Sequence, residues 1–124
     1  AFTSGALGAK IASPKKNVIV LVGDGGFLMD PQEVLTTVEH KKPIIWIVFN
    51  NGGLGLVEQA QYKNSEKTHG VLFSTVLFPK LAQAFGIDGI HLTPQKNLAA
   101  ILHKYIQKKR SVLIDVPVVY AVRK

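Results

Sequence analysis

The sequence has 124 residues, 47% hydrophobic and 19% charged, with 11 glycines, no cysteine and a formal net charge of +7. That length supplies one core and one domain, and the apolar fraction excludes a disordered segment. The lack of cysteine excludes a disulfide scaffold, a thiolate zinc site and a cysteine nucleophile.

Residues 1–12 (AFTSGALGAKIA) are small and apolar, as in a close-packed helix, which Pro14 stops. There is no initiator methionine, and a start inside an element points to a piece of a longer protein. Residues 17–22 (NVIVLV) are β-branched and continuously apolar, which predicts a strand buried on both faces of a parallel sheet. A turn, Gly23-Asp24-Gly25-Gly26, follows it. Asp30-Pro31-Gln32-Glu33 then reads as a helix start, with Asp30 as N-cap, Pro31 at the first helical position and Glu33 completing the cap. Val34, Leu35 and Val38 give that helix an apolar face, and it ends before Pro43.

Residues 43–49 (PIIWIVF) form the second buried strand and run into Asn50-Asn51-Gly52-Gly53, residues that tolerate positive φ. A short helix is predicted over 54–61, a polar loop over 62–75, a helix over 78–85 and a short strand over 89–92. Leu98, Ile101, Leu102, Tyr105 and Ile106 recur at helical spacing and predict a helix over 94–108. Residues 111–116 (SVLIDV) make the last strand. Strands alternating with helices imply a single α/β domain: a parallel β-sheet with helices on both faces, a three-layer sandwich of the flavodoxin-like kind.

The longest apolar stretch, residues 44–49, is far short of the ~20 residues of a membrane-spanning helix. Positive charge alone permits contact with nucleic acid. The basic residues nevertheless come in short groups at the edges of apolar runs: Lys15-Lys16, Lys41-Lys42, Lys108-Lys109-Arg110 and Arg123-Lys124. Helices end at such places, where cations meet the negative end of the helix dipole. No aromatics are interleaved with them, as a single-strand surface requires. The expectation is a cytoplasmic protein with neither a nucleic-acid nor a membrane partner.

In parallel sheets, ligands bind beyond the carboxyl ends of the strands. Two strands here end in turns with distinctive chemistry. In Gly23-Asp24-Gly25-Gly26 the glycines let backbone N–H groups approach a phosphate, and the carboxylate can hold a hard cation. In Asn50-Asn51-Gly52-Gly53 an amide oxygen and a flexible backbone carbonyl are on offer. Either turn alone is an ordinary loop signal. Together, 27 residues apart from Asp24 to Asn51 with one helix and one strand between, they describe a gap suited to one Mg²⁺ and a diphosphate.

This pairing of GDG with NN resembles the signature of thiamine-diphosphate enzymes. The supporting stretches are GALGAKIASP (5–14), LVGDGGFLMDPQEVLTTV (21–38), PIIWIVFNNGGLGLVEQ (43–59), LAQAFG (81–86) and SVLIDVPV (111–118). Residues 5–116 are similar to the C-terminal diphosphate-binding domain of the group that decarboxylates pyruvate and makes acetolactate.

The resemblance implies that Asp24 gives a carboxylate oxygen to Mg²⁺, Asn51 its side-chain oxygen and Gly53 its backbone carbonyl. Gly23, Gly25 and Gly26 lie against the diphosphate, and Leu54-Gly55-Leu56 begin a short helix running past the cofactor. Asn50 is structural and holds the turn. The four histidines, His40, His69, His91 and His103, lack ligand spacing and are read as surface residues, while Trp46 and Tyr105 are read as core aromatics.

The resemblance further implies that a pyrimidine-binding domain, of the same or a neighbouring subunit, holds the other half of the cofactor and supplies the catalytic Glu. No catalytic residue is therefore expected in this chain, which alone would be inactive. The parent enzyme is expected to be a homodimer or tetramer acting on 2-keto acids, with FAD, if present, bound by another domain.

LGLVEQ after the asparagine pair and the ending SVLIDVPVVY are most similar to acetolactate synthases. Anabolic synthases often carry Trp where this chain has Ala60, and many have Met where it has Leu56. Catabolic synthases commonly have Asp at the place of Asn51. Other 2-keto acid decarboxylases and carboligases share the pattern, and two further classes remain: a free-standing module for another phosphate ligand, and a basic interaction domain.

Overall fold

The strand–helix alternation is realised in full. The computed structural model describes residues 2–65 and 67–119. In chain order it comprises α1 (Phe2–Ala12), β1 (Ile19–Gly23), α2 (Asp24–Phe27), α3 (Glu33–Glu39), β2 (Ile45–Asn50), α4 (Gly55–Ser65), α5 (Phe78–Ala84), β3 (Asp88–His91), α6 (Leu98–Lys108) and β4 (Val112–Pro117). The four strands form one sheet in the order β1-β2-β4-β3, and every neighbouring pair is parallel. No described helix is long and apolar enough to cross a membrane. The Arg123-Lys124 pair lies outside the described residues.

The sheet separates two apolar cores. On one face Val20, Val22, Trp46, Val48 and Leu113 meet Ala6, Phe27, Val34, Phe78 and Ala82 from the helices. The Phe27 ring stands edge-on to both Trp46 and Phe78, with centroids 6.2 and 5.9 Å away. On the other face Ile45, Ile47, Val112 and Ile114 pack against Tyr105 and the Leu98, Ile101, Leu102 and Ile106 stripe of α6. Trp46 and Tyr105 are core aromatics as expected, and all four histidines are exposed.

Five local expectations are corrected. The strand β1 alternates instead of being buried on both faces: Ile19 and Leu21 are 42% and 63% exposed, because α6 lies over β2, β3 and β4 and leaves the β1 edge uncovered. Gly23-Asp24-Gly25-Gly26 is not a turn, since Asp24–Phe27 winds into one turn of helix with Gly23 as its extended N-cap. The helix α3 starts at Glu33 with Gln32 as N-cap and no side-chain cap bond, because residues 31–32 form a preceding turn. In that helix Val34 and Thr37 are buried while Leu35 and Val38 face out, so the apolar stripe is narrower than the residue types imply.

The remaining correction concerns helix bounds. α4 continues to Ser65, four residues into the expected loop. α6 begins at Leu98, because the Asn97 side chain caps it there by accepting the Ala100 N–H at 3.1 Å.

Candidate cofactor site

Neighbouring parallel strands bring the two glycine-rich segments together. β1 and β2 lie side by side with Gly23 opposite Phe49, so both chains leave the sheet at the same level and at its carboxyl end. Asp24 follows β1 directly, and Asn51 follows β2 directly.

Asp24 is 2% exposed, and its carboxylate is the anchor of the site. Oδ1 accepts the Gly25 N–H at 2.9 Å, and Oδ2 accepts those of Gly52 at 2.7 Å and Gly53 at 3.1 Å. Three backbone donors replace the water lost on burial, which is the condition for holding a buried carboxylate. The glycines serve this closeness. Gly52 sits at φ +74°, and a Cβ on Gly53 would meet the Val71 carbonyl oxygen at 2.5 Å.

Asn51 lies beside Asp24, and its amide can be turned two ways. With nitrogen inward it donates to Asp24 Oδ1 at 3.1 Å and to Gly53 O at 3.2 Å. With oxygen inward, three oxygens of Asp24, Asn51 and Gly53 face one another, a donor set that only a cation reconciles. All three are hard oxygen donors, so the residues fit a hard divalent ion. The expected metal trio is brought together.

Beside the trio opens a cleft of about 400 Å³ lined by Gly23, Asp24, Gly25, Gly26, Phe49, Asn51, Gly53, Leu54, Gly55, Leu56, Val57 and Val118. Each of the nine residues expected to touch the cofactor lines it. The Gly25 N–H is held by Asp24 Oδ1, and Gly26, in the same first turn of helix, lies in the cleft wall, where the N–H groups of a helix start favour a phosphate. A Cβ on Gly25 would collide with Leu54 Cδ2 at 2.5 Å. Only glycine leaves both the Leu54 side chain and the cleft wall in place.

Residues 3–116 match the family model described as thiamine pyrophosphate enzyme, C-terminal TPP binding domain. The chain belongs to this family. As a thiamine pyrophosphate (diphosphate) domain it is 35% identical over 116 residues to the acetolactate synthase of Bacillus subtilis, covering 94% of this chain and 20% of that protein. It is 40% identical over 113 residues to the acetolactate synthase large subunit of Lactococcus lactis, covering 90% of this chain and 20% of that protein. A 3D-(3,5/4)-trihydroxycyclohexane-1,2-dione hydrolase of Halalkalibacterium halodurans is 32% identical over 122 residues, covering 93% and 19%. The chain thus spans about one fifth of the length of these relatives.

Two parts of the thiamine pyrophosphate domain's site escaped the sequence reading. The first is the segment after α4. Leu54 N–H donates to Val71 O at 2.8 Å and Phe73 N–H to Gly52 O at 2.9 Å, so a strand-like pairing clamps the Gly52–Leu54 backbone. The apolar triplet Val71-Leu72-Phe73 inside an otherwise polar stretch was the available signal. The second is Asp115, 3% exposed in β4. Its Oδ1 accepts from Asn50 Nδ2 at 3.0 Å and its Oδ2 lies 2.8 Å from His91 Nδ1. An acid in the otherwise apolar run 112–116 marks it, because a buried charge needs partners.

Proposed function

We propose that this chain is the diphosphate- and Mg²⁺-holding part of an enzyme that decarboxylates pyruvate and joins it to a second 2-keto acid, as an acetolactate synthase does. The observation that carries the reading is the convergence of oxygens of Asp24, Asn51 and Gly53 at the mouth of a glycine-lined cleft. When bound, thiamine diphosphate supplies the electron sink for breaking and making the carbon–carbon bond. The residues of this chain do different work. Asp24, Asn51 and Gly53 would hold the metal, Gly23, Gly25 and Gly26 would lie against the diphosphate, and Leu54, Gly55 and Leu56 would form the wall beside it.

In this reading a pyrimidine-binding domain, from the same or a neighbouring subunit of a homo-oligomer, covers the cleft and brings the catalytic acid. The apolar rim supports it: Phe49, Leu56 and Val57 are 38%, 73% and 45% exposed around the opening. FAD, where the complete protein uses it, belongs to another domain. Identity to a trihydroxycyclohexane-1,2-dione hydrolase favours one second reading, hydrolytic cleavage of a cyclic dione with the same cofactor.

Thermal unfolding of the complete protein with thiamine diphosphate, with and without Mg²⁺, tests the cofactor. A ligand that binds only the folded state adds about 2.7 kcal/mol at 100 Kd. A shift requiring both components is expected, and no shift with either would overturn the reading. Acetolactate formation from pyruvate, against hydrolysis of the dione, then separates the two chemistries.

A further inference from the structure

The metal trio is connected to the far side of the sheet by an unbroken chain of polar contacts. Gly52 N–H donates to Asp24 Oδ2 at 2.7 Å and also to Asn50 Oδ1 at 3.2 Å. Asn50 Nδ2 in turn donates to Asp115 Oδ1 at 3.0 Å, and Asp115 Oδ2 lies 2.8 Å from His91 Nδ1. The chain crosses β2, β4 and β3, the three strands whose carboxyl ends stand next to one another. Backbone bonds hold its nodes in place, with Val118 N–H on Asn50 O at 2.9 Å and Leu92 N–H on Asp115 O at 2.8 Å.

The chemistry of this relay is directional. A carboxylate accepts only, so Asp115 compels Asn50 to present its NH₂ toward β4 and its oxygen toward the turn. That oxygen is the one that meets the Gly52 N–H, at a residue whose φ of +74° is left-handed and therefore needs to be held. Asp115 is itself buried at 3% and tied from the other side by His91, whose side chain is half exposed. Apolar packing would stabilise the end of β4 as well, and a charge there is costly unless its orientation is used.

We infer that Asp115 is a positioning residue for the metal site, acting through Asn50 to fix the turn that carries the Asn51 and Gly53 oxygens, with His91 bracing it. The inference rests on the proposed Mg²⁺ role of Asp24, Asn51 and Gly53. Partners one layer behind metal ligands typically change metal affinity by roughly 10- to 100-fold when removed.

The test is a Mg²⁺ titration of the complete protein at saturating thiamine diphosphate, read as the half-point of the thermal shift, beside the melting temperature without ligand. In wild type the shift should require Mg²⁺, and in Asp115→Ala the half-point should rise roughly 10- to 100-fold. Exchanging the partners, Asn50→Asp with Asp115→Asn, keeps a donor and an acceptor at every link and should restore the wild-type half-point. A role limited to stability would lower the melting temperature of Asp115→Ala and leave the half-point where it was. That result overturns the inference, as does an exchanged pair no better than Asp115→Ala. If Asp115→Ala does not fold, Asn50→Ala cuts the same link from the turn side, and its half-point decides in the same way. A wild-type protein without any Mg²⁺-dependent shift would instead bring down the metal reading itself, and this inference with it.

Discussion

Gly52 and Asp24 are 28 residues apart in sequence, and the Gly52 N–H donates to Asp24 Oδ2 at 2.7 Å. Gly53 N–H reaches the same oxygen, and Gly25 N–H the other. One carboxylate therefore closes both glycine-rich segments into a single structure, whatever else is bound there. Asp24→Asn offers a single oxygen in place of two, so a buried N–H must face an amide NH₂. The variant should lose about 1–3 kcal/mol of stability in denaturant unfolding without ligand. With thiamine diphosphate present, Mg²⁺ should no longer raise its melting temperature. Wild-type stability in the first measurement would show that the three N–H bonds matter little, and an undiminished Mg²⁺ effect in the second would remove Asp24 from the metal.

The glycines of the site differ in what an added methyl group would meet, and so in what its addition should do. At Gly53 it would run into the Val71 carbonyl, part of the backbone pairing that clamps the turn. Gly53→Ala should cost roughly 1–3 kcal/mol. Gly52 has open space around it but sits at φ +74°, so Gly52→Ala should cost about 1–2 kcal/mol through backbone strain. At Gly25 the obstacle is the end of the Leu54 side chain, which can swing aside. Gly25→Ala should leave unfolding nearly unchanged yet reduce the stabilisation given by thiamine diphosphate, because Leu54 lines the cleft. Urea midpoints for the three variants, with and without the cofactor, check the pattern.

What could be read from the sequence follows from how local the causes are. Strand–helix alternation and the two glycine-rich motifs come from short-range chemistry, and the parallel neighbours β1 and β2 bring Asp24, Asn51 and Gly53 together. The exposure of Leu21 could not be read, because residues 17–22 are equally apolar on both sides and the cover over β1 depends on where α6 lands. Asp30-Pro31 carried a clear capping signal, but the chain makes a turn there first, and the helix starts at Glu33. Asp115 is 65 residues from Asn50 and 24 from His91, and it meets both only because β4 inserts between β2 and β3. Contacts of that kind are set by strand order, which no local pattern encodes.

Two helices end on lysines in the left-handed region, Lys41 after α3 at φ 50° and Lys109 after α6 at φ 48°. In both places the next N–H reaches back five residues, Lys42 to Thr37 O at 2.8 Å and Arg110 to Tyr105 O at 3.3 Å. This closing pattern ordinarily employs glycine at the left-handed position, where a Cβ is strained. Lys41→Gly and Lys109→Gly should each raise stability by roughly 0.5–1 kcal/mol. A drop in the unfolding midpoint would mean that the lysine charge at the helix end outweighs the strain it bears.

Tyr105 links the second core to the start of β3, its hydroxyl donating to Asp88 Oδ2 at 2.9 Å. Burial first, then the hydrogen bond and negative charge of Asp88, hold its pKa above the ordinary value of about 10, with Arg110 pulling the other way. In the window just above pH 10 the folded chain therefore keeps a proton that the unfolded chain has lost. Stability falls with rising pH wherever the unfolded state binds fewer protons, so the contribution of this group is complete below pH ~10 and disappears above the raised pKa. Tyr105→Phe keeps the ring and removes the hydroxyl. It should be about 1 kcal/mol less stable than wild type near pH 7. Unfolding midpoints taken from pH 7 to 11 should then show the two proteins converging as the pH rises, because only wild type has this contribution to lose. A gap that stays constant or widens across that range would contradict the role of the Asp88 bond.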